Sequence, residues 1–338
     1  MKTLVVGLQE RVERAETRID PQLEISYAEL QPLETLAPHL ADAEILLTSP
    51  QLRVDDALLD QAPRLRLVQV PSTGFDRIDL EATRRRGIPV SHSGGTNALS
   101  VAEHVFMVMM ALHKRLIPNH LGISQGQWGP NKARLMDEGL QELYGKTLGI
   151  VGFGRIGRQV ARRAIPFELH AIYYDIVRPT AEEEREYQVT FVELPELLRR
   201  ADILTVHVPL DASTYHLIGE AELRQLRPSA IVINAARGPL IDPAPLAQMV
   251  GDGLLAGAAV DVFETEPAPD NDPLVRLAIS GCERVLLTPH TAGVTAESSV
   301  RGLNWALANV ARFARGEPPL AVVNGVDVGA PATLTPQF

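Results

Sequence analysis

Short apolar runs alternate with helical patterns along most of the chain. Over residues 1–95 the runs are Leu4-Val-Val6, Leu23-Glu-Ile25, Glu44-Ile-Leu-Leu47, Leu67-Val-Gln-Val70 and Ile88-Pro-Val90, with helical stretches at 33–40, 57–61 and 80–86 between them. From residue 146 a second series begins, and its strands are expected near 147–151, 170–174, 188–192, 202–207, 230–234, 256–261 and 284–288. Strand runs separated by helices imply parallel sheets with helices on both faces. The pattern therefore predicts an α/β protein with two parallel sheets. A last helix near 297–315 is expected to return the chain to the first of them.

Between the two series the pattern changes. Residues 97–117 read as one helix that is apolar on nearly every face, through Val101, Ala102, Val105, Phe106, Met109 and Leu112. A helix apolar all round is buried, either between domains or against another subunit. Residues 118–145 are polar and carry Gly126-Gln-Trp128-Gly-Pro130, which reads as an irregular excursion and an arm onto a partner; a homodimer is expected. Pro267–Pro273 reads as a loop, and the Pro/Thr-rich tail after Val328 as disordered.

Composition narrows the class. The chain has 338 residues, enough to bury the cores of two domains, with 45% apolar and 22% charged residues, ordinary globular usage. A net charge of −10 argues against a nucleic-acid partner, which demands basic clustering. The one basic run, Arg84-Arg-Arg86, lies among Asp76, Asp79 and Glu81 and reads as a solvated helix face. A single cysteine, Cys282, rules out an intrachain disulfide and fits a reducing, cytoplasmic setting. No leader peptide or membrane-spanning run is expected, since the N-terminal apolar stretch is short and Glu103 and His104 interrupt the longest apolar block. No metal-ligand set stands out.

The strongest chemical signal is Gly152-Phe-Gly154-Arg-Ile-Gly157, directly after one expected strand and at the start of an expected helix. In that context the first glycine permits a tight turn and the second lets backbone approach a pyrophosphate. The third lets the helix pack closely on the strand. The amides of Phe153, Arg155 and Ile156 are then expected to face the pyrophosphate. The next strand ends in Asp175, whose carboxylate suits both hydroxyls of an adenosine ribose and repels a 2′-phosphate. The cofactor expected is NAD rather than NADP, although Arg178, three residues on, leaves room for some NADP.

In an open parallel sheet ligands bind outside the carboxyl ends of the strands. The unusual polar residues obey that rule: His207-Val208-Pro209, Asn234–Gly238, Asp261–Pro267 and Thr288-Pro-His290 all follow strands of the second series. Gly152–Gly157, Asn234–Gly238, Asp261–Pro267 and Pro289-His290, in this order and at these intervals, resemble the D-2-hydroxyacid dehydrogenase family over about residues 65–325. The resemblance implies reduction of a 2-oxo acid with a nicotinamide cofactor, and a catalytic set of Arg237, Glu266 and His290. Histidine suits the proton given to the carbonyl oxygen, a carboxylate beside it favours the imidazolium, and an arginine fork suits the substrate carboxylate. Each residue also has a plainer reading: Arg237 as a helix cap or a partner of Asp242, Glu266 as a solvated loop acid beside Glu264, His290 as a structural histidine.

The resemblance further implies that Asp261 holds the nicotinamide carboxamide. It has His207, Val208 and Pro209 wall the adenine pocket, and sets Ala235 and Gly293 beside the cofactor. Ser72, Thr73 and Gly74 match the family's substrate loop, and Asn97 the helix entry that follows it, where capping is the plainer role. The implied fold is a Rossmann domain, residues 99–291, and a discontinuous flavodoxin-like substrate domain, 1–98 with 292–338, closing over a cleft. Glu266 stands where formate-oxidising members have glutamine, and Arg53 is the only cation near the loop that binds phosphorylated substrates in other members. A small 2-oxo acid, glyoxylate or hydroxypyruvate, is therefore expected. The rivals are another oxidoreductase on this scaffold, acting on phosphite, phosphoglycerate or a larger 2-oxo acid, and an NAD-sensing corepressor-type binding protein.

Overall fold

The computed structural model describes residues 1–14 and 19–329. The tail expected to be disordered lies, from residue 330, outside the described residues. The chain divides into two compact units, one of residues 1–97 with the segment from Thr295 onward, the other of Ala98–Val294.

The first unit holds a five-stranded parallel sheet, β1 (Lys2–Val6), β2 (Glu24–Ala28), β3 (Ile45–Thr48), β4 (Leu67–Val70) and β5 (Val90–His92), in the order β2-β1-β3-β4-β5. That is the flavodoxin-like order. The second holds seven parallel strands, β6 (Thr147–Val151), β7 (His170–Tyr174), β8 (Val189–Phe191), β9 (Ile203–Val206), β10 (Ile231–Asn234), β11 (Gly257–Val260) and β12 (Val285–Leu287). Their order, β12-β11-β10-β9-β6-β7-β8, turns back between β6 and β9, the crevice where a doubly wound sheet binds its ligand. Central strands β3, β4, β9, β10 and β11 are buried at every position, because helices cover both faces.

Helix Ala296–Ala314 packs on the five-stranded sheet through Leu303, Ala306 and Leu307 against Val5 and Leu47. A buried amide fixes its register: Asn309 Nδ2 donates to Gln69 Oε1 (2.7 Å) and Ser91 Oγ (2.8 Å). In the second unit Val101, Val105, Phe106 and Met109 of helix Ala98–His113 pack on the seven-stranded sheet's core.

Two expectations about the connecting region need correction. The single helix over 97–117 ends at His113, because Arg115 takes a left-handed backbone at φ 50°. The stretch 118–145 is largely helical, as Leu116–Ser124 and Trp128–Glu138. Pro118 and Pro130 each stand third in their helix, within the first turn, where a missing N–H costs nothing. The all-apolar helix is also covered only in part, with Met107 half exposed. Among the described residues no helix is long and apolar enough to cross a membrane.

Candidate active site

All the elements of the glycine motif lie at the turning point of the seven-stranded sheet. Gly152 leaves β6 at φ 98°, and a Cβ there would stand 2.7 Å from the His207 carbonyl carbon and 2.8 Å from Val208 N. Gly157, in the first turn of helix Arg155–Ala164, lies on the Gly152 carbonyl with no room for a Cβ. Gly154 caps that helix, and open space lies where its side chain would be. The first-turn amides of Arg155, Ile156 and Gly157 have no intrahelical acceptor, and the helix dipole favours an anion there. This glycine cradle fits the pyrophosphate of a dinucleotide.

The Phe153 amide does not belong to that set. It donates to Asp175 Oδ2 at 2.6 Å, while Val177 N–H donates to Oδ1 at 2.8 Å. Phe153 therefore orients the carboxylate that ends β7, and its ring is buried against Tyr173, 4.5 Å between centroids. Arg178 is drawn to Glu184, with Nε at 2.8 Å and Nη2 at 3.1 Å, and Glu184 also accepts from the Tyr173 hydroxyl at 2.6 Å. Beyond β9, His207 Nε2 meets Thr205 Oγ1 at 2.9 Å, and its buried Nδ1 has no hydrogen-bond partner among the described residues. Burial pushes that imidazole down to about 3, so it is neutral.

Arg237, Glu266 and His290 follow β10, β11 and β12. Asn234, nearly fully buried, shapes the first turn: its Nδ2 donates to the Arg237 carbonyl (2.9 Å) and its Oδ1 accepts from Ala236 N–H (3.2 Å). Ala235 is buried beneath that turn, and Arg237 Nη1 donates to the Ala236 carbonyl at 2.7 Å. Glu266 Oε1 accepts from Phe263 N–H (3.1 Å), and its Oε2 lies 2.7 Å from His290 Nδ1. His290 has a left-handed backbone, φ 54°, held by its N–H donating to the Asp261 carbonyl at 2.7 Å.

Asp261 is almost completely buried and already has three donors. Thr288 Oγ1 (2.5 Å) and Thr291 N–H (2.9 Å) meet Oδ1, and Ala292 N–H (2.8 Å) meets Oδ2. A carboxylate offers about four acceptor sites, so these bonds use most of its capacity. Its carboxylate anchors the loop that carries His290 and Gly293, and the carboxamide role expected of it has about one site left. Burial also pushes His104 down, and its Nε2 lies 3.4 Å from Thr288 Oγ1.

In the first unit, Thr73 Oγ1 donates to Asn97 Oδ1 (2.9 Å), and His92 Nδ1 lies 3.0 Å from the Thr73 carbonyl. Ser72 Oγ donates to the Gly74 carbonyl at 2.9 Å. Ser72, Thr73, Gly74 and Asn97 thus form one hydrogen-bonded group at the carboxyl end of β4.

The family model of the D-isomer-specific 2-hydroxyacid dehydrogenase NAD-binding domain matches residues 106–292. The chain belongs to this family. It is 39% identical over 279 residues to a glyoxylate reductase of Korarchaeum cryptofilum, covering 82% of this chain and 81% of that protein. A glyoxylate reductase of Thermofilum pendens is 38% identical over 291 residues, 86% of this chain and 84% of the relative. Among solved structures, D-lactate dehydrogenase from Aquifex aeolicus, complexed with NAD and lactic acid, superposes with a TM-score of 0.78 at 28% identity, covering 93% of this chain and 96% of that one. The chain is thus a 2-hydroxyacid dehydrogenase, an oxidoreductase acting on CH–OH with a nicotinamide cofactor.

In this dehydrogenase the seven-stranded unit brings together the glycine cradle, Asp175, His207 and the Arg237, Glu266 and His290 loops. Reading the sequence missed His216, whose Nε2 lies 2.6 Å from Glu264 Oε1, and the share Thr288 takes in holding Asp261. A lone histidine in a polar loop carries no pattern that marks it.

Proposed function

We propose that the chain reduces a small 2-oxo acid of the size of glyoxylate or hydroxypyruvate to the D-2-hydroxy acid, with NADH as reductant. The observation that carries this reading is the 2.7 Å bond between His290 Nδ1 and Glu266 Oε2, on loops that follow neighbouring strands of a dinucleotide-binding sheet. The glyoxylate reductases at 38–39% identity support the substrate class.

When bound, NADH supplies the hydride for the carbonyl carbon. His290 gives the proton to the carbonyl oxygen: Glu266 occupies Nδ1, which turns Nε2 toward the substrate and leaves it to carry that proton. Glu266 fixes the plane of the ring through the 2.7 Å contact at Nδ1. Arg237 binds the substrate carboxylate through its planar fork and polarises the carbonyl. Ser72, Thr73, Gly74 and Asn97 belong to the same reading as carboxylate-binding groups. Asp175 disfavours a 2′-phosphate, and Glu184 holds Arg178, a cation that would offset it, which supports NADH over NADPH.

The same reading includes a homodimer. Met107, Leu116, Leu121, Trp128 and Met136 each keep 48–73% of their surface exposed on three consecutive helices, a concentration of exposed apolar side chains that supports an interface there. Sedimentation at micromolar concentration is expected to give a dimer; a monomer removes this part.

The test of activity follows NADH and NADPH oxidation with glyoxylate, hydroxypyruvate, pyruvate, phenylpyruvate and phosphohydroxypyruvate, with His290→Ala as control. Turnover fastest on the smallest acids with NADH, and lost in the control, is the expected result. Binding of NADH without turnover on any of them overturns the reading and moves weight to an oxidoreductase of the phosphite type or to an NAD-sensing protein.

A further inference from the structure

The loop after β11 carries two glutamates two residues apart, and each meets a different histidine. Glu266 meets His290. Glu264 Oε1 lies 2.6 Å from Nε2 of His216, which comes from the stretch between β9 and β10. We propose that His216 is a positioning residue for the reduction: by holding Glu264 it fixes the Glu266 loop against the segment that carries Arg237. The proposal rests on the reading of Glu266 and His290 given above.

Three observations carry it. His216 itself is held firmly. Its N–H donates to the Pro239 carbonyl at 2.7 Å, Ile218 N–H donates to the Leu240 carbonyl at 3.1 Å, and Asp242 N–H returns a bond to the Ile218 carbonyl at 3.1 Å. Residues 216–218 thus run along 239–242, the stretch that follows Arg237. The Tyr215 ring stacks on the imidazole, 4.1 Å between centroids and 18° from parallel, and limits its rotation.

Second, the Glu264 backbone has no slack. Gly238, next to Arg237, lies against the Phe263–Glu264 peptide, where a Cβ would come within 2.5 Å of Glu264 N. Third, the loop is short and internally tied. Phe263 N–H donates to Glu266 Oε1 while Glu266 Oε2 meets His290, so a displacement at Glu264 reaches the carboxylate two residues on. Asp242 Oδ2, 3.7 Å from His216 Nδ1, adds a second carboxylate on the far side of the ring. The His216–Glu264 pair is about one-third exposed, so its worth as a surface ion pair is small. Its role in this proposal is geometric.

His216 has a left-handed backbone, φ 48°. Asparagine tolerates that conformation, and its side chain stops short of the imidazole Nε2 position. His216→Asn therefore removes the contact without forcing the backbone. Glu264→Ala removes it from the other side, and Glu264→Gln keeps an oxygen that accepts from His216. The experiment measures kcat, the KM for glyoxylate, the NADH Kd and the Tm for these three variants, for Glu266→Gln, and for His216→Asn combined with Glu266→Gln.

The expected result is a roughly ten- to hundredfold fall in kcat for His216→Asn and for Glu264→Ala, the scale of a misplaced catalytic group, with KM and NADH Kd held. Glu264→Gln restores most of the loss, and His216→Asn adds nothing once Glu266 is glutamine, because both changes act through one carboxylate. Wild-type kcat in His216→Asn and Glu264→Ala, while Glu266→Gln is impaired, overturns the proposal and leaves the active-site reading standing. So does a loss in kcat that follows Tm and Kd and that Glu264→Gln does not relieve. An unimpaired Glu266→Gln enzyme overturns the active-site reading, and the proposal with it.

Discussion

At the carboxyl ends of the seven-stranded sheet, ionisable side chains are bonded in place: Glu266 to His290, Glu264 to His216, and Asp261 to the Thr288 hydroxyl and the backbone of the His290 loop. The corresponding ends of the five-stranded sheet carry Ser72, Thr73 and Asn97, joined by hydroxyl, amide and carbonyl groups, with His92 bonded to a backbone carbonyl. Both sheets are parallel and the central strands of both are buried on their two faces, so the architecture does not separate them. The loops after the strands do. A neutral hydrogen-bonded loop can hold an anion, whereas a histidine set against a carboxylate can also move a proton.

The sharpest way to break this contrast is at His290. His290→Ala is expected to lower kcat by about 10²- to 10⁴-fold, the usual contribution of a positioned acid–base group, with NADH binding retained. Arg237→Ala is expected to abolish turnover, again with NADH bound; full activity in either variant refutes the assignment. Thr73→Val tests the other rim. It deletes the hydroxyl bonded to Asn97, and the expected outcome is a KM raised roughly fivefold, the scale of one lost neutral hydrogen bond, with kcat nearly kept. A fall in kcat comparable to that of His290→Ala would erase the distinction between the two rims.

Smaller effects concern what holds each rim in place. Asn309→Ala in the first unit leaves Gln69 Oε1 and Ser91 Oγ without their buried donor, at a cost of about 1–3 kcal/mol. Urea unfolding measures it, and an unchanged midpoint would show that water takes over the amide's bonds.

How much of this the sequence discloses follows from the same physics. Parallel strands buried on both faces read as continuous apolar runs, and most of the expected strands fall within a residue or two of the observed ones. The glycine cradle is equally legible, because its three positions answer to backbone geometry alone. Helices Leu116–Ser124 and Trp128–Glu138 are concealed by prolines that look like breakers and stand in first turns, and by Gly126 and Gly129. The division of labour between Glu264 and Glu266 is concealed for a different reason. Both are acids in one polar loop, and only folding shows that each faces its own histidine. Phe153 and Asp261 share that cause: the sequence shows their place on the rim, but the amide and carboxylate partners that claim them come from other loops.

The smallest expected effect compares two histidines on the same rim. His290 is half exposed and bonded to a carboxylate, whereas His207 is buried and pushed down to about 3. A histidine whose folded pKa lies below its unfolded value of about 6.5 leaves the unfolded state with more bound protons between those two values. Stability is therefore full above about pH 6.5 and is lost as the pH falls toward 3, by at most about 1.4 kcal/mol per pH unit for one such group. Burial pushes His104 and His113 down as well, so they add to the same slope. The lowered carboxylates, such as Glu183 and Glu184, lose their contribution only as the pH falls through their own, more acidic range. Between pH 6.5 and 5 the histidines dominate. Denaturant unfolding across that interval is expected to show stability falling with pH, and His207→Gln, which cannot take up a proton, is expected to flatten the fall. An unchanged slope in that variant would mean that His207 accepts its proton in the folded protein as readily as in the unfolded chain, so that its burial carries no cost for the charged ring.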